Sequence, residues 1–199
     1  MSKNFKITVL LSGNGTNLQA LIDAVNSGVL PEVKIVQVIS NRKEAYGLKR
    51  GKDASIPTYF LEKTNNNSLK GQDENLFRIL ELEKPDLIVL AGYLKRVDEP
   101  VISAYKKRII NIHPSLLPKY GGPGFYGLKV HQAVLNSGDK ETGATVHYVD
   151  QGMDTGRIIL QEKVSVDPND TAEEISKKVL EIEHRILVEA VKKIVDNRD

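Results

Sequence analysis

The chain has 199 residues, of which 40% are hydrophobic and 27% charged, the composition of a globular protein with enough length for a well-formed core. The absence of Cys excludes disulfides, thiolate catalysis and Cys-based metal sites, and with no signal-like N-terminus and no apolar segment of about 18 residues it predicts a cytoplasmic protein. A net charge of only +2 and 6% aromatic residues argue against nucleic-acid binding, which needs basic surfaces and stacking side chains.

Short apolar segments alternate with helical patterns from the start of the chain, which is typical of a parallel sheet with crossover helices. Strands are predicted at residues 6–11, 34–40, 58–61, 87–91 and 109–112. Helices are predicted from residue 18 to about 25, at 72–83 and at about 98–105.

The pattern changes after residue 118. A Gly-rich loop is predicted at residues 119–129, a helix beginning within 131–135, and two neighbouring strands at 144–149 and 158–166. A long amphipathic helix should follow at 170–197, opened by a capping box of Thr171 and Glu174. We therefore expect a single α/β domain, an open and mostly parallel sheet with helices on both faces and partly antiparallel C-terminal strands.

The octapeptide Asn111-Ile-His-Pro-Ser-Leu-Leu-Pro118 follows a buried strand. Pro114 disfavours the α conformation at His113, so the chain should leave the strand extended. Ligands of open α/β sheets bind at the carboxyl ends of strands, where an Asn and a His can polarise a carbonyl oxygen. The alternative for Asn-x-His-Pro alone is an Asx turn beside an ordinary His; the whole octapeptide favours function.

Asp154 lies in the turn Asp150-Gln-Gly-Met-Asp-Thr-Gly156 between two predicted strands. Acidic residues and glycines there are compatible with plain turn chemistry. A functional interpretation requires Asp154 to reach His113, where a carboxylate would raise the imidazole pKa and could hold a water for proton transfer.

The segment Ser12-Gly-Asn-Gly-Thr-Asn17 connects the first strand to the first helix, a position where backbone N–H groups favour an anion. It lacks the Gly-Lys-Ser/Thr of a Walker loop, and Leu18 occupies the third glycine position of a dinucleotide fingerprint. A single terminal phosphate is the better prediction, and an unliganded turn is the alternative.

Glu183 lies between Val179, Ile186 and Leu187 on the apolar side of the last predicted helix. A carboxylate there needs a partner. Either the ammonium group of a ligand or a Lys or Arg of this chain could supply it.

Four motifs of this chain resemble those of the folate-dependent phosphoribosylglycinamide formyltransferase family, in the same order and spacing from Ile7 to about His184. They are Ser12-Gly-Asn-Gly-Thr-Asn17, Leu90-Ala-Gly-Tyr93, Asn111-Ile-His-Pro-Ser-Leu-Leu-Pro-Lys-Tyr120 and His147-Tyr-Val-Asp-Gln-Gly-Met-Asp-Thr-Gly156. The octapeptide is typical of formyltransferases in general, and the first motif narrows the resemblance to this family.

The resemblance implies a Rossmann-like formyltransferase fold and formyl transfer from 10-formyltetrahydrofolate to phosphoribosylglycinamide in purine synthesis, with no metal. It implies that Asn111 and His113 stabilise the oxyanion and that Asp154 positions water and tunes His113. The implied phosphate loop comprises Gly13, Asn14, Gly15, Thr16 and Asn17. Glu183 would receive the glycinamide end, and the implied folate-binding residues are Tyr93, Leu94, Lys95, Arg96, Val97 and Asn111.

Residues 1–199 would then form one formyltransferase domain, with a phosphate-binding half to about 105 and a catalytic, folate-facing half from about 106. Partners would be small-molecule substrates only, with no nucleic acid or membrane, and the protein would be a monomer or weak homodimer.

Three segments depart from the family pattern. The family often has Ser-Arg near the phosphate where this chain has Ser68-Leu-Lys70, and Met-Arg followed by apolar residues where it has Leu94-Lys-Arg-Val97. Residues 121–127 resemble a Gly-rich subgroup and are the segment we expect to close over folate.

Three other functions are alternatives for a chain with these motifs. Methionyl-tRNA formyltransferase and formyltetrahydrofolate hydrolase share the catalytic motifs, but both resemble longer chains with an additional domain. A non-catalytic phosphate-binding module would explain residues 12–17 and leave Asn111, His113 and Asp154 without a function.

Overall fold

The structure is a computed structural model that describes residues 4–62 and 70–198. Ser68 and Leu69 of the departing segment lie outside the described residues, as does the side chain of Lys70.

Within the described ranges, seven strands form one sheet in the order β3-β2-β1-β4-β5-β6-β7. The strands are β1 (Phe5–Leu11), β2 (Val33–Ser40), β3 (Thr58–Phe60), β4 (Leu87–Leu90), β5 (Ile109–His113), β6 (Glu141–Tyr148) and β7 (Ile158–Ser165). Pairing is parallel from β3 to β5 and antiparallel between β5, β6 and β7. The predicted fold class is confirmed.

Helices cover both faces of this sheet. They are α1 (Thr16–Asn26), α2 (Tyr46–Asp53), α3 (Lys70–Glu83), α4 (Glu99–Ala104), α5 (Leu128–Ser137) and α6 (Ala172–Asp196). One core joins the sheet to α1, α2 and α6, and a second joins its other face to α3 and α4. Alternate residues of β1 enter different cores, as expected for a strand buried on both faces.

The helix α2 was not predicted, and its sequence explains why. Its eight residues, Tyr-Gly-Leu-Lys-Arg-Gly-Lys-Asp, include two glycines and little apolar periodicity. Both glycines serve close packing: a Cβ at Gly47 would overlap the side chain of Leu11, and one at Gly51 would lie 2.8 Å from Thr58 Cγ2. The helix forms because it fits tightly against the sheet, which outweighs its weak local preference.

The C-terminal helix begins where its capping signal predicts. Thr171 accepts a hydrogen bond from the Glu174 backbone N–H at 3.2 Å, and the Glu174 carboxylate accepts one from the Thr171 N–H at 2.7 Å. The largest differences from the predicted bounds are two starts: β6 begins at Glu141 rather than at 144, and α5 begins at Leu128 rather than at 131. Among the described helices, none is both long and apolar enough to cross a lipid bilayer.

Strand order reverses between β1 and β4. Connections leaving neighbouring strands at such a point diverge and open a crevice at the carboxyl edge of the sheet. The segments that follow β1, β4 and β5 carry the three motifs predicted to bind substrates, so the topology brings them to one edge.

Candidate active site

A cavity of about 540 Å³ opens at this edge, within the usual size of small-molecule sites. Its apolar lining includes Leu90, Val97, Ile102, Ile112 and Phe125. Its ionisable and amide lining groups include Asn111, His113, His131, His147, Asp154 and Glu183. An apolar wall with a few convergent polar groups is the usual form of a binding site.

Asp154 reaches His113, as the functional interpretation required. Asp154 Oδ2 lies 3.6 Å from His113 Nδ1 and accepts a 2.9 Å hydrogen bond from the Gly122 N–H. Pairing of β5 with β6 places His147 beside Asn111, and the turn after β6 folds back toward this pair, so that Asp154 Oδ1 lies 3.5 Å from His147 Nε2. Asp154 adopts a left-handed backbone conformation with φ of 58°, which Asp tolerates better than most residues.

The imidazole of His113 has a defined tautomer. Its Nε2 lies 2.7 Å from the Tyr120 carbonyl oxygen, and because a carbonyl only accepts, Nε2 must carry the proton. Nδ1 is then unprotonated in the neutral ring and faces Asp154. Burial lowers the pKa of His113 below its usual value, although Asp154 and the Tyr120 carbonyl oppose that effect. The ring is therefore a neutral base near pH 7.

Asp154 remains ionised beside this ring. Burial alone would raise its pKa, but the neighbouring imidazoles of His147 and His113 and the hydrogen bond from the Gly122 N–H together lower it. A carboxylate that faces an unprotonated nitrogen has a strong attraction for a proton placed there. The pair is arranged to gain an ion pair when His113 is protonated.

Asn111 is oriented by His147. His147 Nδ1 donates to the Tyr148 carbonyl oxygen at 2.9 Å, so its Nε2 can only accept, and Asn111 Nδ2 donates to it at 3.1 Å. Asn111 Nδ2 also makes a weak 3.4 Å hydrogen bond to Asp154 Oδ1. The amide therefore presents its N–H groups to the cluster, and His147 has the satisfied hydrogen bonds expected from sequence.

Helix α2 supports the predicted phosphate loop from behind. The Gly47 N–H donates to the Gly13 carbonyl oxygen at 3.1 Å. Arg50 Nε donates to the Asn14 carbonyl oxygen at 2.9 Å, and Arg50 Nη1 donates to Gln19 Oε1 at 3.1 Å. Neither residue had been singled out from sequence, because α2 itself was not predicted.

The loop ends at the start of α1 in a form suited to an anion. Gly15 adopts a left-handed conformation with φ of 74° and caps the helix without a side-chain hydrogen bond. Residues 13–16 therefore bring the free N–H groups of the first helical turn to the carboxyl edge of the sheet. Gly13, Asn14, Gly15 and Thr16 border the site rather than line the main cavity.

Ser12 joins this loop to the predicted folate segment. The Leu94 N–H donates to Ser12 Oγ at 2.8 Å, the Ser12 N–H donates to the Gly92 carbonyl oxygen at 3.0 Å, and Ser12 Oγ donates to Asn41 Oδ1 at 2.6 Å. One buried hydroxyl thus fixes the ends of β1, β2 and β4 together. Nothing in the local sequence around Ser12 indicates this function.

The predicted folate segment, residues 93–97, lines the cavity in full. Val97 is buried in its wall, whereas Leu94 is 49% exposed at its mouth. Arg96, which departs from the family pattern, donates to the Gln151 carbonyl oxygen in the turn that carries Asp154. This hydrogen bond connects the predicted folate segment to the turn that carries Asp154.

Glu183 is buried on α6, and its side-chain hydrogen bond comes from Asn17, whose Nδ2 donates to Glu183 Oε2 at 2.7 Å. The alternative of a Lys or Arg partner within the described residues is wrong. Burial raises the pKa of Glu183 to about 7, and the Asn17 hydrogen bond opposes this rise. Asn17, predicted for the phosphate loop, directs its side chain to Glu183 instead.

His131 also lines the cavity, although the sequence suggested only a structural role. It is buried on α5, where burial and the charge of His113 lower its pKa to about 4. It is therefore a neutral wall residue at physiological pH. The described residues contain no cluster of three or more potential metal ligands.

A crevice at a switch point, an amide and an imidazole at a strand end, and a nearby carboxylate define an α/β enzyme class that acts on a carbonyl group. The formyl transferase family profile matches residues 5–191. The chain belongs to the formyl transferase family.

Several similar proteins indicate which members of the formyl transferase family this chain resembles. Phosphoribosylglycinamide formyltransferase of Haemophilus influenzae is 44% identical over 194 residues, which are 97% of this chain and 88% of that protein. The trifunctional purine biosynthetic protein adenosine-3 of Drosophila melanogaster is 38% identical over 96% of this chain and 14% of its own length. The crystal structure of glycinamide ribonucleotide transformylase 1 from Symbiobacterium toebii superposes with a TM-score of 0.92 at 38% identity, covering 100% of this chain and 91% of that chain.

Proposed function

We propose that this chain transfers the formyl group of 10-formyltetrahydrofolate to the amine of 5-phosphoribosylglycinamide. The products are the N-formyl compound and tetrahydrofolate, and the step belongs to de novo purine biosynthesis. Family membership and the names of the relatives support this reaction. The observation that carries it is the presence of Glu183 in the same cavity as Asn111, His113 and Asp154, which puts an anchor for an amine beside groups suited to a carbonyl.

His113 is the proposed proton acceptor, through Nδ1. The amine nitrogen bonds to the formyl carbon and gives up a proton to His113. The bond from that carbon to N10 of the folate then breaks, and N10 takes the proton from His113 to leave as tetrahydrofolate. Nδ1 is unprotonated in the neutral tautomer and faces Asp154 Oδ2 at 3.6 Å, so the imidazolium that forms gains an ion pair. That separation is longer than a direct hydrogen bond and matches the proposed function of Asp154 in positioning a water.

Asn111 is the proposed donor to the formyl oxygen as that oxygen gains negative charge. Its Nδ2–H toward Asp154 makes only a 3.4 Å hydrogen bond, which a closer oxyanion can replace. The positive charge of protonated His113 would stabilise the same oxyanion. Because His147 fixes the amide orientation, Asn111 can donate without first rotating.

The acceptor would bind in an extended form between two anchors. The N–H groups of residues 13–17 would hold its phosphate, and Glu183 would hold its amine as an ammonium before deprotonation. Residues 93–97 and Asn111 would bind the folate, with backbone groups on the pterin and apolar side chains beside it. A loop after β1 and a carboxylate on α6 thereby set the length of the acceptor.

Four further statements remain predictions. Residues to about 105 would supply phosphate binding and residues from about 106 catalysis, although residues 93–97 and Glu183 line one cavity across that division. The partners would be small molecules alone, and the location cytoplasmic. A monomer or weak homodimer is expected, which analytical ultracentrifugation can measure.

An acceptor assay tests the proposal. Formyl transfer from 10-formyltetrahydrofolate is measured with phosphoribosylglycinamide, its unphosphorylated riboside, initiator methionyl-tRNA or water alone. We expect rapid transfer to the first compound and a KM at least tenfold higher for the second, because it lacks the phosphate anchor. Transfer only to tRNA or to water would contradict the proposed acceptor.

A further inference from the structure

The side chain of Asn17 links two parts of the chain that lie 166 residues apart. Asn17 occupies the first turn of α1 and is 7% exposed, and Glu183 on α6 is 9% exposed. Their 2.7 Å hydrogen bond runs from Nδ2 to Oε2. A short hydrogen bond between two buried groups is one that solvent cannot easily replace.

Glu183 determines which way the side-chain amide of Asn17 faces. Asn17 Oδ1 is buried and has no hydrogen-bond partner within the described structure. An unsatisfied buried acceptor costs free energy, and the opposite orientation would cost more because it would place Oδ1 against the Glu183 carboxylate. With one Nδ2–H bonded to Glu183, the second Nδ2–H and the backbone N–H of Asn17 remain as donors.

The surroundings of Glu183 give the carboxylate little other help. On α6 it has the apolar neighbours Val179, Ile186 and Leu187. His184 follows it on the same helix. The ionisable groups that share its cavity are Tyr93, Lys95, Arg96, His113, Tyr126, His131, His147, Asp150 and Asp154. Burial and the Asn17 hydrogen bond are the two causes that displace its pKa, and they act in opposite directions.

We infer that Asn17 is a positioning residue that holds Glu183 as an oriented carboxylate for the substrate amine, so that the phosphate loop and the amine anchor form one unit. The inference rests on the proposed function for the identity of the amine. An ammonium ion requires the ionised form of its partner, and Nδ2 donates to Oε2, which leaves Oε1 for the ligand. The first turn of α1 would then serve both ends of the acceptor, the phosphate through its backbone and the amine through Asn17.

The test measures the Glu183 carboxyl group directly. Asn17→Leu keeps the branched shape and removes the hydrogen bond, Asn17→Ser is a smaller replacement that keeps a donor, and Asn26→Leu is a matched control at an exposed position of the same helix. The Glu183 signal is assigned in ¹³C-carboxyl NMR spectra by comparison with Glu183→Gln. We expect the pKa of Glu183 to rise by about one unit in Asn17→Leu, by less in Asn17→Ser and not at all in the control.

Kinetics give the second measurement. At pH 7 the KM for phosphoribosylglycinamide should rise about fivefold in Asn17→Leu, and the ratio of variant to wild-type KM should fall toward one above pH 9. A merely structural defect would raise that ratio equally at every pH. An unchanged Glu183 pKa in both Asn17 variants overturns the inference. If the pKa of Glu183 rises but the KM is unchanged, Asn17 does control the ionisation of Glu183. That result would contradict the proposed function of Glu183 as the anchor for the substrate amine.

Discussion

The burial of Glu183 predicts a stability cost that grows with pH. The pKa of this carboxyl group rises from 4.5 to about 7 on folding. Since one pKa unit corresponds to ~1.4 kcal/mol, the cost of keeping the ionised form buried is on the order of 3 kcal/mol. The folded state binds the proton more tightly than the unfolded state, so the free energy of unfolding falls as pH rises from 4.5 to about 7 and stays lower above it.

Glu183→Gln removes this dependence, because Gln keeps the shape and can still accept from Asn17. The free energy of unfolding of the variant, relative to that of wild type, should increase by on the order of 3 kcal/mol when the pH is raised from 4.5 to 8.5. Such a gain is expected when a carboxylate is buried for function and not for stability. Urea unfolding followed by circular dichroism at both pH values measures the gain without any substrate. Glu181→Gln, an exposed neighbour on α6, is the control and should show little gain.

A stability difference between Glu183→Gln and wild type that is the same at pH 4.5 and pH 8.5 would refute this reasoning. It would mean that Glu183 titrates in the folded protein as it does in the unfolded chain. The anchor would then be a solvated carboxylate, and the contribution of Asn17 to its ionisation would lose its physical basis.

Two further substitutions test the supports of the site. Gly156→Ala would place a Cβ against the Tyr148 carbonyl oxygen, which fixes the His147 tautomer; we expect a lower melting temperature and a loss of at least ~10-fold in kcat/KM, and unchanged values would contradict the orientation of Asn111 by His147. Arg50→Ala removes charged hydrogen bonds from the phosphate loop and should raise the KM for phosphoribosylglycinamide about tenfold with little effect on that for folate. Lys52→Ala, at an exposed position of α2, is its control, and equal effects of the two would contradict the support of the loop by Arg50.

The fold was predictable where burial leaves a periodic apolar pattern. The predicted strands agree with the observed ones within a few residues, most simply where a strand such as β1 or β4 is buried on both faces, and α6 begins at a local capping signal. The exception is α2, whose glycines permit close contact with Leu11 and Val38. Such a helix depends on how well it fits the surface of the folded sheet, and the sequence of the helix alone does not show that surface.

The position of the groups proposed to react could be predicted because ligands bind at strand ends in α/β sheets, and Asn111 and His113 lie at the end of β5. The residues that orient them could not be predicted, because each acts through a hydrogen bond between distant segments. Ser12 meets Leu94, 82 positions away, and His147 meets Asn111, 36 positions away. Asn17 shows the limit most plainly, since its motif indicates the phosphate whereas its side chain contacts Glu183.

The most direct test of the proposed chemistry is single-turnover formyl transfer with both substrates saturating, in wild type, His113→Ala and Asp154→Ala. His184→Ala, on α6 and outside the cavity lining, serves as the control. The account predicts that the rate constant of transfer falls at least ~100-fold in the first two variants, while calorimetric dissociation constants of the substrates change little and the control transfers normally. Transfer at the wild-type rate by either His113→Ala or Asp154→Ala would contradict the proposed functions of these residues.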